Sequence, residues 1–324
     1  MSVTYHWKKL GRVFDPTEYA RHNRSWMAEF AQAPCVIELG DMLRVFFSCR
    51  PSADGAGQYR SYCTYLDVSR QDPTEVIHVA DRPILSLGGL GMFDEFGTYP
   101  ISVIEVDGKL RGYYAGWTRC ESVPFNTNIG VAESEDNGAT FKRLGPGPVL
   151  SYTSDEPFVI SGPKIRRFHD QFFLYYIAGR RWILDNGRPE PIYKIRLAVS
   201  NDGLQWEKVG KDLIEDVRGE DEAQASPDVV FANDCFHMFF CHRRGRDYRN
   251  RLGGYRIGYA FSRDGLNWQR DDAKAGIDVS TSGWDAEMVS YPHVARIDGE
   301  TFLFYLGNQV GRHGFGVAKL EGEL

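Results

Sequence analysis

The chain has 324 residues and a net charge of −6 at neutral pH, an acidic balance that argues against nucleic acid or an anionic membrane as its main partner. No apolar run approaches the roughly 18 residues that a membrane-spanning helix needs. Aromatic residues make up 14% and glycines number 34, which fits short strands joined by tight turns rather than helices.

In chain order, Met1 to Lys9 lacks a charged region followed by an apolar stretch, so no secretory signal is expected and the protein is read as cytoplasmic. A strand-like segment, Trp7–Lys–Lys–Leu–Gly11, comes first. Then a pattern recurs at Pro34, Pro100, Pro163, Pro227 and Pro292, with gaps of 66, 63, 64 and 65 residues. Each proline opens a β-rich run, a turn and a second run loaded with aromatics: Pro34–Cys35–Val36–Ile37 leads to Val45–Phe46–Phe47, and Pro292–His293–Val294 leads to Phe302–Leu303–Phe304–Tyr305. Third strands follow at Ile129–Ala132, Ile195–Ala198 and Ile257–Ala260. Each runs into a near-copied turn containing Asp136–Asn–Gly138, Asp202–Gly203 or Asp264–Gly265. Asp and Gly supply the tight turn, and the aromatic after it starts a fourth strand.

A fixed period of this length with four strands per unit predicts one all-β domain over residues 1–324, a five-bladed β-propeller of four-stranded antiparallel blades. The last unit ends at Phe315–Gly–Val–Ala318 without a fourth strand. Trp7–Lys–Lys–Leu–Gly11 matches Phe141–Lys–Arg–Leu–Gly145 and Trp206–Glu–Lys–Val–Gly210. The N-terminal strand is therefore expected to close the ring by completing the last blade, which removes an exposed edge.

In such a blade, the connection into the first strand and the connection after the second share one face. Ahead of the prolines stand Glu29, Asp94–Glu95, Asp155–Glu156, Glu220–Asp221–Glu222 and Asp285–Ala–Glu287. Beyond the second strands stand Arg50, Trp117, Arg180, His242–Arg243 and Asn308. The expectation is a rim of carboxylates interleaved with arginines and aromatics around one channel. Carboxylates held close together split their pKa values, so that one serves as acid and another as base, as glycosidic cleavage requires. Turn chemistry alone also places Asp and Glu at strand starts.

With these motifs in view, the chain resembles the five-bladed glycosidase-like propellers, the superfamily of arabinanases, β-xylosidases, invertases and levansucrases. More narrowly, it resembles glycosidase-like proteins of bacterial surface-polysaccharide gene clusters. The resemblance spans essentially the whole chain and rests on Trp7–Lys–Lys–Leu–Gly11, Gly91–Met–Phe93–Asp94–Glu95–Phe–Gly97, Tyr113–Tyr–Ala–Gly–Trp117, Tyr255–Arg–Ile–Gly258 and Ser282–Gly–Trp284–Asp–Ala–Glu287–Met288. It implies a carbohydrate-active enzyme in which an acid of blade one is the base, one of blade two orients and tunes, and one of blade three is the acid. By position these are Glu29 (or Asp15), Asp94, and Asp155 or Glu156. The usual aspartate near the first strand of blade one is absent, and Glu29 either faces the channel or points to solvent from a short helix. The acid pair is alternatively drawn from Glu222 and Asp285 or Glu287.

Arg50, Arg180 and Arg243 hold equivalent places in three blades, with Arg244, Arg246, Arg249 and Arg251 following. Guanidinium forks suit carboxylate and phosphate. The expected partner is thus a small anionic carbohydrate: a sugar phosphate, a nucleotide sugar or a uronic-type sugar. The same set fits a mannoside-phosphorylase-like reaction in which phosphate attacks the anomeric carbon. Tyr99, Trp117 and Tyr291 offer a stacking platform, and His242 and Asn308 complete the candidate binding set. Pairing with the rim acids is the competing reading of the arginines, and a non-catalytic sugar-binding or assembly protein is the competing function. No P-loop, Gly-x-Ser-x-Gly elbow or His-Glu-x-x-His occurs, so neither cofactor nor metal is expected. Six cysteines without framework spacing (Cys35, Cys49, Cys63, Cys120, Cys235, Cys241) read as reduced core residues.

Overall fold

The computed structural model describes residues 4–19 and 24–324, and its strands form five antiparallel sheets of four. In chain order β1 (Trp7–Phe14) comes first. Blade one holds β2 (Glu29–Leu39), β3 (Met42–Arg50), β4 (Tyr62–Ser69) and β5 (Val76–Val79). Blade two holds β6 (Gly97–Val106), β7 (Lys109–Thr118), β8 (Asn126–Ser134) and β9 (Lys142–Arg143). Blade three holds β10 (Ile160–Phe168), β11 (Gln171–Asp185), β12 (Arg188–Ser200) and β13 (Glu207–Lys208). Blade four holds β14 (Ala223–Ala232), β15 (Cys235–Arg243), β16 (Arg256–Ser262) and β17 (Gln269–Arg270). Blade five holds β18 (Ser290–Ile297), β19 (Glu300–Leu306) and β20 (Phe315–Leu320), and β1 completes it by pairing with β20, Trp7 opposite Leu320. The five-bladed propeller and its closure by the N-terminal strand are as the repeat predicts.

The prolines mark a β-bulge on the inner strand of every blade. Pairing slips between Gln32 and Cys35, Thr98 and Ile101, Ser161 and Lys164, Ala225 and Asp228, and Ser290 and His293. Proline cannot donate to the ladder, so it is at home where the ladder is already broken. In four blades the residue before it (Ala33, Gly162, Ser226 or Tyr291) lies at positive φ.

The aromatic second strands fill the seams between blades. Phe46 and Tyr114 pack between blades one and two, Tyr113 and Tyr176 between two and three, and Tyr175 and Phe240 between three and four. Phe239 and Tyr305 do so between four and five, and Phe47 and Phe304, with Phe315 of β20, between five and one. Each fully buried ring contributes about 1.5–3 kcal/mol of burial free energy, so the seams are where the ring is held. All six cysteines are free, and only Cys120 is not fully buried. Among the described residues no helix is long and apolar enough to cross a membrane.

Candidate functional site

A cavity of about 630 Å³ opens at the channel mouth and draws residues from all five blades. Its walls come from two sources. The segments leading into the inner strands supply Phe30, Gln32, Phe96, Tyr99, Ser161, Glu287 and Tyr291; those leaving the second strands supply Arg50, Tyr59, Trp117, Arg119, Arg243 and Tyr248. This is the face that the blade geometry predicts. A third source, unforeseen from the repeat, is the long β11–β12 hairpin. It runs past the blade to a two-residue turn at Asn186–Gly187, both at positive φ, and contributes Arg188, Glu190 and Tyr193.

Arg50 is the central charged group of one wall. Its guanidinium lies over Phe30 (4.6 Å), Trp117 (5.1 Å), Tyr59 (5.4 Å) and Tyr99 (5.4 Å). No side chain among the described residues accepts a hydrogen bond from it, and its buried Nε has no partner. Burial pulls its pKa below the usual arginine value, yet an arginine stays charged in any protein environment. Trp117 is fixed by its Nε1–H, which donates to the Tyr99 carbonyl (2.9 Å), and it stacks on Phe125 at 4.7 Å.

On the opposite wall Arg243 is 1% exposed and stacks on Tyr248 at 3.7 Å. It donates to the carbonyls of Arg244 (2.9 Å) and Pro191 (3.0 Å) and to the Tyr255 hydroxyl (3.1 Å). Beside it Glu190 accepts from Tyr248 (2.8 Å) and pairs with Arg249 (2.6 Å) and Arg188 (3.2 Å). Burial raises the phenol pKa values of Tyr99, Tyr255 and Tyr291, so these rings present neutral hydroxyls. Six arginines and two glutamates line the cavity of a chain whose net charge is −6. The site's sign is opposite to the molecule's.

Of the seven candidate catalytic acids, Glu287 alone lines this cavity. Its backbone N–H donates to Asn308 Oδ1 (2.7 Å), and Asn308 in turn donates to the Gly283 carbonyl (3.0 Å). Asn308 therefore positions the Glu287 segment instead of facing the cavity. The Glu287 carboxylate has no hydrogen-bond or ion-pair partner among the described residues. Glu29 begins β2 rather than a helix and sits behind the wall, bonded to Tyr59 (3.1 Å) and Arg312 (3.0 Å). Asp15, its alternative, pairs with Arg12 at 2.6 Å.

The remaining acids are spent inside their blades. Asp94 accepts from Tyr114 (2.9 Å) and Arg143 (2.6 Å). Glu156 accepts from Tyr176 (2.8 Å), Arg196 (2.8 Å) and Lys208. Glu222 accepts from Arg270 (2.6 Å) and the backbone N–H of Arg218 (2.7 Å). Asp285 accepts from Lys9 (2.6 Å) and Tyr305 (3.0 Å). One arrangement thus recurs in blades two to five: an acid before the inner strand meets a cation from the fourth strand. In three of them a tyrosine of the second strand joins it. Asp155 is exposed and held by Arg196 (2.8 Å), whose hydrogen bond keeps its pKa down at about 2. Asp94, Glu156, Glu222 and Asp285 are thus each paired within their own blade.

Two of the expected binding residues also lie elsewhere. Arg180 is the extra residue of a bulge between Gly179 and Arg181, which turns it to the blade edge, where it pairs with Asp212. His242 has the opposite parity to Arg243 on β15. It is buried under Arg218 Nε (2.8 Å to Nδ1) and Asp272 (3.3 Å to Nε2). Of the loop arginines, Arg246 donates to the Leu184 carbonyl (2.7 Å) and Arg251 to that of Ala286 (2.7 Å).

The architecture is that of the glycoside-hydrolase-like five-bladed propellers. A solved glycoside hydrolase superposes with a TM-score of 0.74 at 17% identity, over 99% of this chain and 93% of that one. A putative glycosidase from Bacteroides thetaiotaomicron does so at 0.71 and 16%, over 97% and 96%. A structure from work on the GH130 family of mannoside phosphorylases, which contains glycoside hydrolases targeting β-1,2 mannosidic linkages in Candida mannan, does so at 0.72 and 14%, over 98% and 94%. No family model matches the chain. The chain belongs to the same family as the uncharacterized proteins Rv1502 and MT1551 of Mycobacterium tuberculosis (strains H37Rv and CDC 1551). It is 35% identical to each over 315 residues, 97% of this chain and 99% of theirs.

Proposed function

We propose that the protein is a carbohydrate-active enzyme that acts on a glycosidic bond of an anionic sugar held in the channel-mouth cavity, with Glu287 as the proton-transferring carboxylate. One observation carries this reading. A guanidinium (Arg50) and a carboxylate (Glu287), neither with a hydrogen-bond or ion-pair partner for its charged group among the described residues, share a single aromatic-walled cavity. Unpaired charge in a partly desolvated site is costly unless a ligand compensates it. The partly exposed rings of Phe30, Phe96 and Phe125 in the cavity wall offer apolar surface to the C–H face of a pyranose, and the volume lies in the range of small-ligand sites. Cleavage of a glycosidic bond requires a proton at the leaving oxygen. Glu287 is the cavity carboxylate that no cation among the described residues holds, whereas Glu190 is committed to Arg249, Arg188 and Tyr248. The fold shared with glycoside hydrolases supports the reading.

A second reading, a sugar-binding protein without catalysis, is favoured by the locking of Asp94, Glu156, Glu222 and Asp285 inside their blades. One experiment separates them. The wild type and Glu287→Gln are incubated with a panel of neutral and acidic oligosaccharides, with and without inorganic phosphate, and products are read by mass spectrometry. The enzyme reading expects turnover by the wild type and a fall of about a hundredfold or more in the variant, with sugar binding retained. Phosphate-dependent release of a sugar phosphate would identify phosphorolysis. A wild type that binds sugars and turns over none would leave only the binding reading.

A further inference from the structure

Buried polar atoms of the cavity wall set what the bound sugar must present, a consequence that rests on the carbohydrate reading above. Gln32 is 3% exposed and Thr127 1%. Both line the cavity, and Gln32 Oε1, Thr127 Oγ1, Arg50 Nε and Arg119 Nε have no hydrogen-bond partner among the described residues. Buried polar groups are almost always paired, so each such exception asks for a cause. The two guanidinium atoms are donors, Gln32 Oε1 is an acceptor, and the Thr127 hydroxyl serves as either. A carboxylate or phosphate oxygen only accepts. It satisfies the guanidinium N–H groups and leaves Gln32 Oε1 facing a second acceptor. A sugar hydroxyl donates one hydrogen bond and accepts two, so it answers both kinds of atom.

Local structure fixes which way the Gln32 amide faces. Its Nε2 donates to the Val310 carbonyl at 2.6 Å. A carbonyl only accepts, so the amide cannot turn over without losing that bond. The carbonyl is itself aimed by unusual backbone. Gln309 and Val310 lie in the left-handed region, at φ 55° and 56°, which is unfavourable for any residue with a side chain and rare for a β-branched one. Strain of this kind persists where the surrounding structure over-determines it, and it gathers at ligand sites. Gln309 and Val310 are cavity-lining residues too. We propose that Gln32 is a specificity-determining residue of this site, its Oε1 accepting a hydrogen bond from one free hydroxyl of the bound sugar. A ring that lacks a donor at that position is rejected, whatever anionic group it carries elsewhere.

The test begins with ligand-observed NMR of the wild type against the methyl glycosides of glucose, galactose and mannose and against glucuronic and galacturonic acids. The sugar that binds is then titrated beside its monodeoxy and monofluoro analogues, since fluorine cannot donate a hydrogen bond. Loss of one particular hydroxyl is expected to weaken binding about tenfold or more, by deoxygenation and by fluorination alike. In Gln32→Met, which matches the side chain in length and lacks the amide, the parent sugar weakens by a similar factor and the penalty for losing that hydroxyl disappears. Gln32→Asn, a milder change that draws the amide back by one methylene, is run beside it, with thermal melts to show that each variant is folded. A wild type that binds a sugar and tolerates the loss of every hydroxyl singly would overturn the assignment of Gln32 without any variant. So would folded variants that weaken the parent and all its analogues by one common factor. Either result leaves the carbohydrate reading standing. If none of the sugars binds, that reading falls, and this proposal with it.

Discussion

Asp94 and Glu287 precede inner strands in the same sequence context, yet one carboxylate is locked and the other is free. The difference lies in the cation that each meets. Asp94 is fully buried and receives Arg143 and Tyr114, so truncating it strands a guanidinium that is itself 15% exposed. Asp94→Ala is expected to cost about 3–5 kcal/mol in urea unfolding, as breaking a buried pair from one side does. Tyr114→Phe should cost about 1 kcal/mol, one hydrogen bond. Glu287→Gln, which breaks no pair, should leave stability within about 0.5 kcal/mol. A lock variant as stable as wild type would count against the structural role assigned to Asp94. The signal for the locks was present in the sequence. Lys9, Arg143, Lys208 and Arg270 each stand two residues after the aromatic that opens a fourth strand (Trp7, Phe141, Trp206 and Trp268). The motif marks the start of each fourth strand, but it does not say toward which residue its cation points. Pairing across a blade depends on which face a residue takes, and spacing between prolines does not supply it.

Among the elements, the β11–β12 hairpin departs most from the repeat and does most to shape the site. Its strands have 15 and 13 residues and carry Glu190, Pro191 and Tyr193 to the cavity, with Trp182 behind Phe125. The turn Asp185–Asn–Gly–Arg188 is a two-residue loop with positive φ at both central residues, the geometry that matches strand twist. An added Cβ at Gly187 meets nothing within 4 Å, so the cost of a side chain there is backbone strain alone. Gly187→Val should weaken the hairpin by about 1–2 kcal/mol. Its expected signature is faster amide exchange confined to residues 181–192 and weaker sugar binding, while the blade amides keep wild-type protection. Uniform loss of protection would show that the hairpin is not a separate unit. Asn186–Gly187 is a strong hairpin signal in the sequence, one that is specific to blade three and lies outside the repeat. The bulge at Arg180 was not legible. It depends on one residue of extra length in one strand, and that residue moves the side chain from the channel to the edge.

For the molecule as a whole, the ring is fastened on its axis by buried charges. The residues just after the prolines of blades three, four and five are Lys164, Asp228 and His293, at 3%, 0% and 2% exposure. His293 Nδ1 faces Asp228 Oδ2 at 3.0 Å and Lys164 Nζ at 3.4 Å, and its Nε2 accepts from the Val36 N–H of blade one at 3.0 Å. Asp228 also pairs with Arg166 and accepts from the Val294 N–H at 2.6 Å. Burial, with Lys164 and Arg166 close by, lowers the His293 pKa to about 4 from an ordinary 6.5, though Asp228 pulls the other way. Arg166, His293 and Lys164 hold the Asp228 carboxylate far below the usual range, outweighing its burial. The sign follows from proton counting. Between pH 6.5 and 4 the unfolded chain protonates this histidine and the folded chain does not, so stability falls as the pH falls through that window. The slope from this group approaches about 1.4 kcal/mol per pH unit, some 3 kcal/mol in all. Below it, protonation of Asp228 takes a further share. His242 and His237, both lowered chiefly by burial, add to the same slope. Urea unfolding of wild type and His293→Gln at pH 7.5, 6 and 5 isolates the axial part. The variant, which has no proton to take up at this position, should lose about one proton's worth of slope. An unchanged slope would mean that His293 is not the group through which acid loosens the ring.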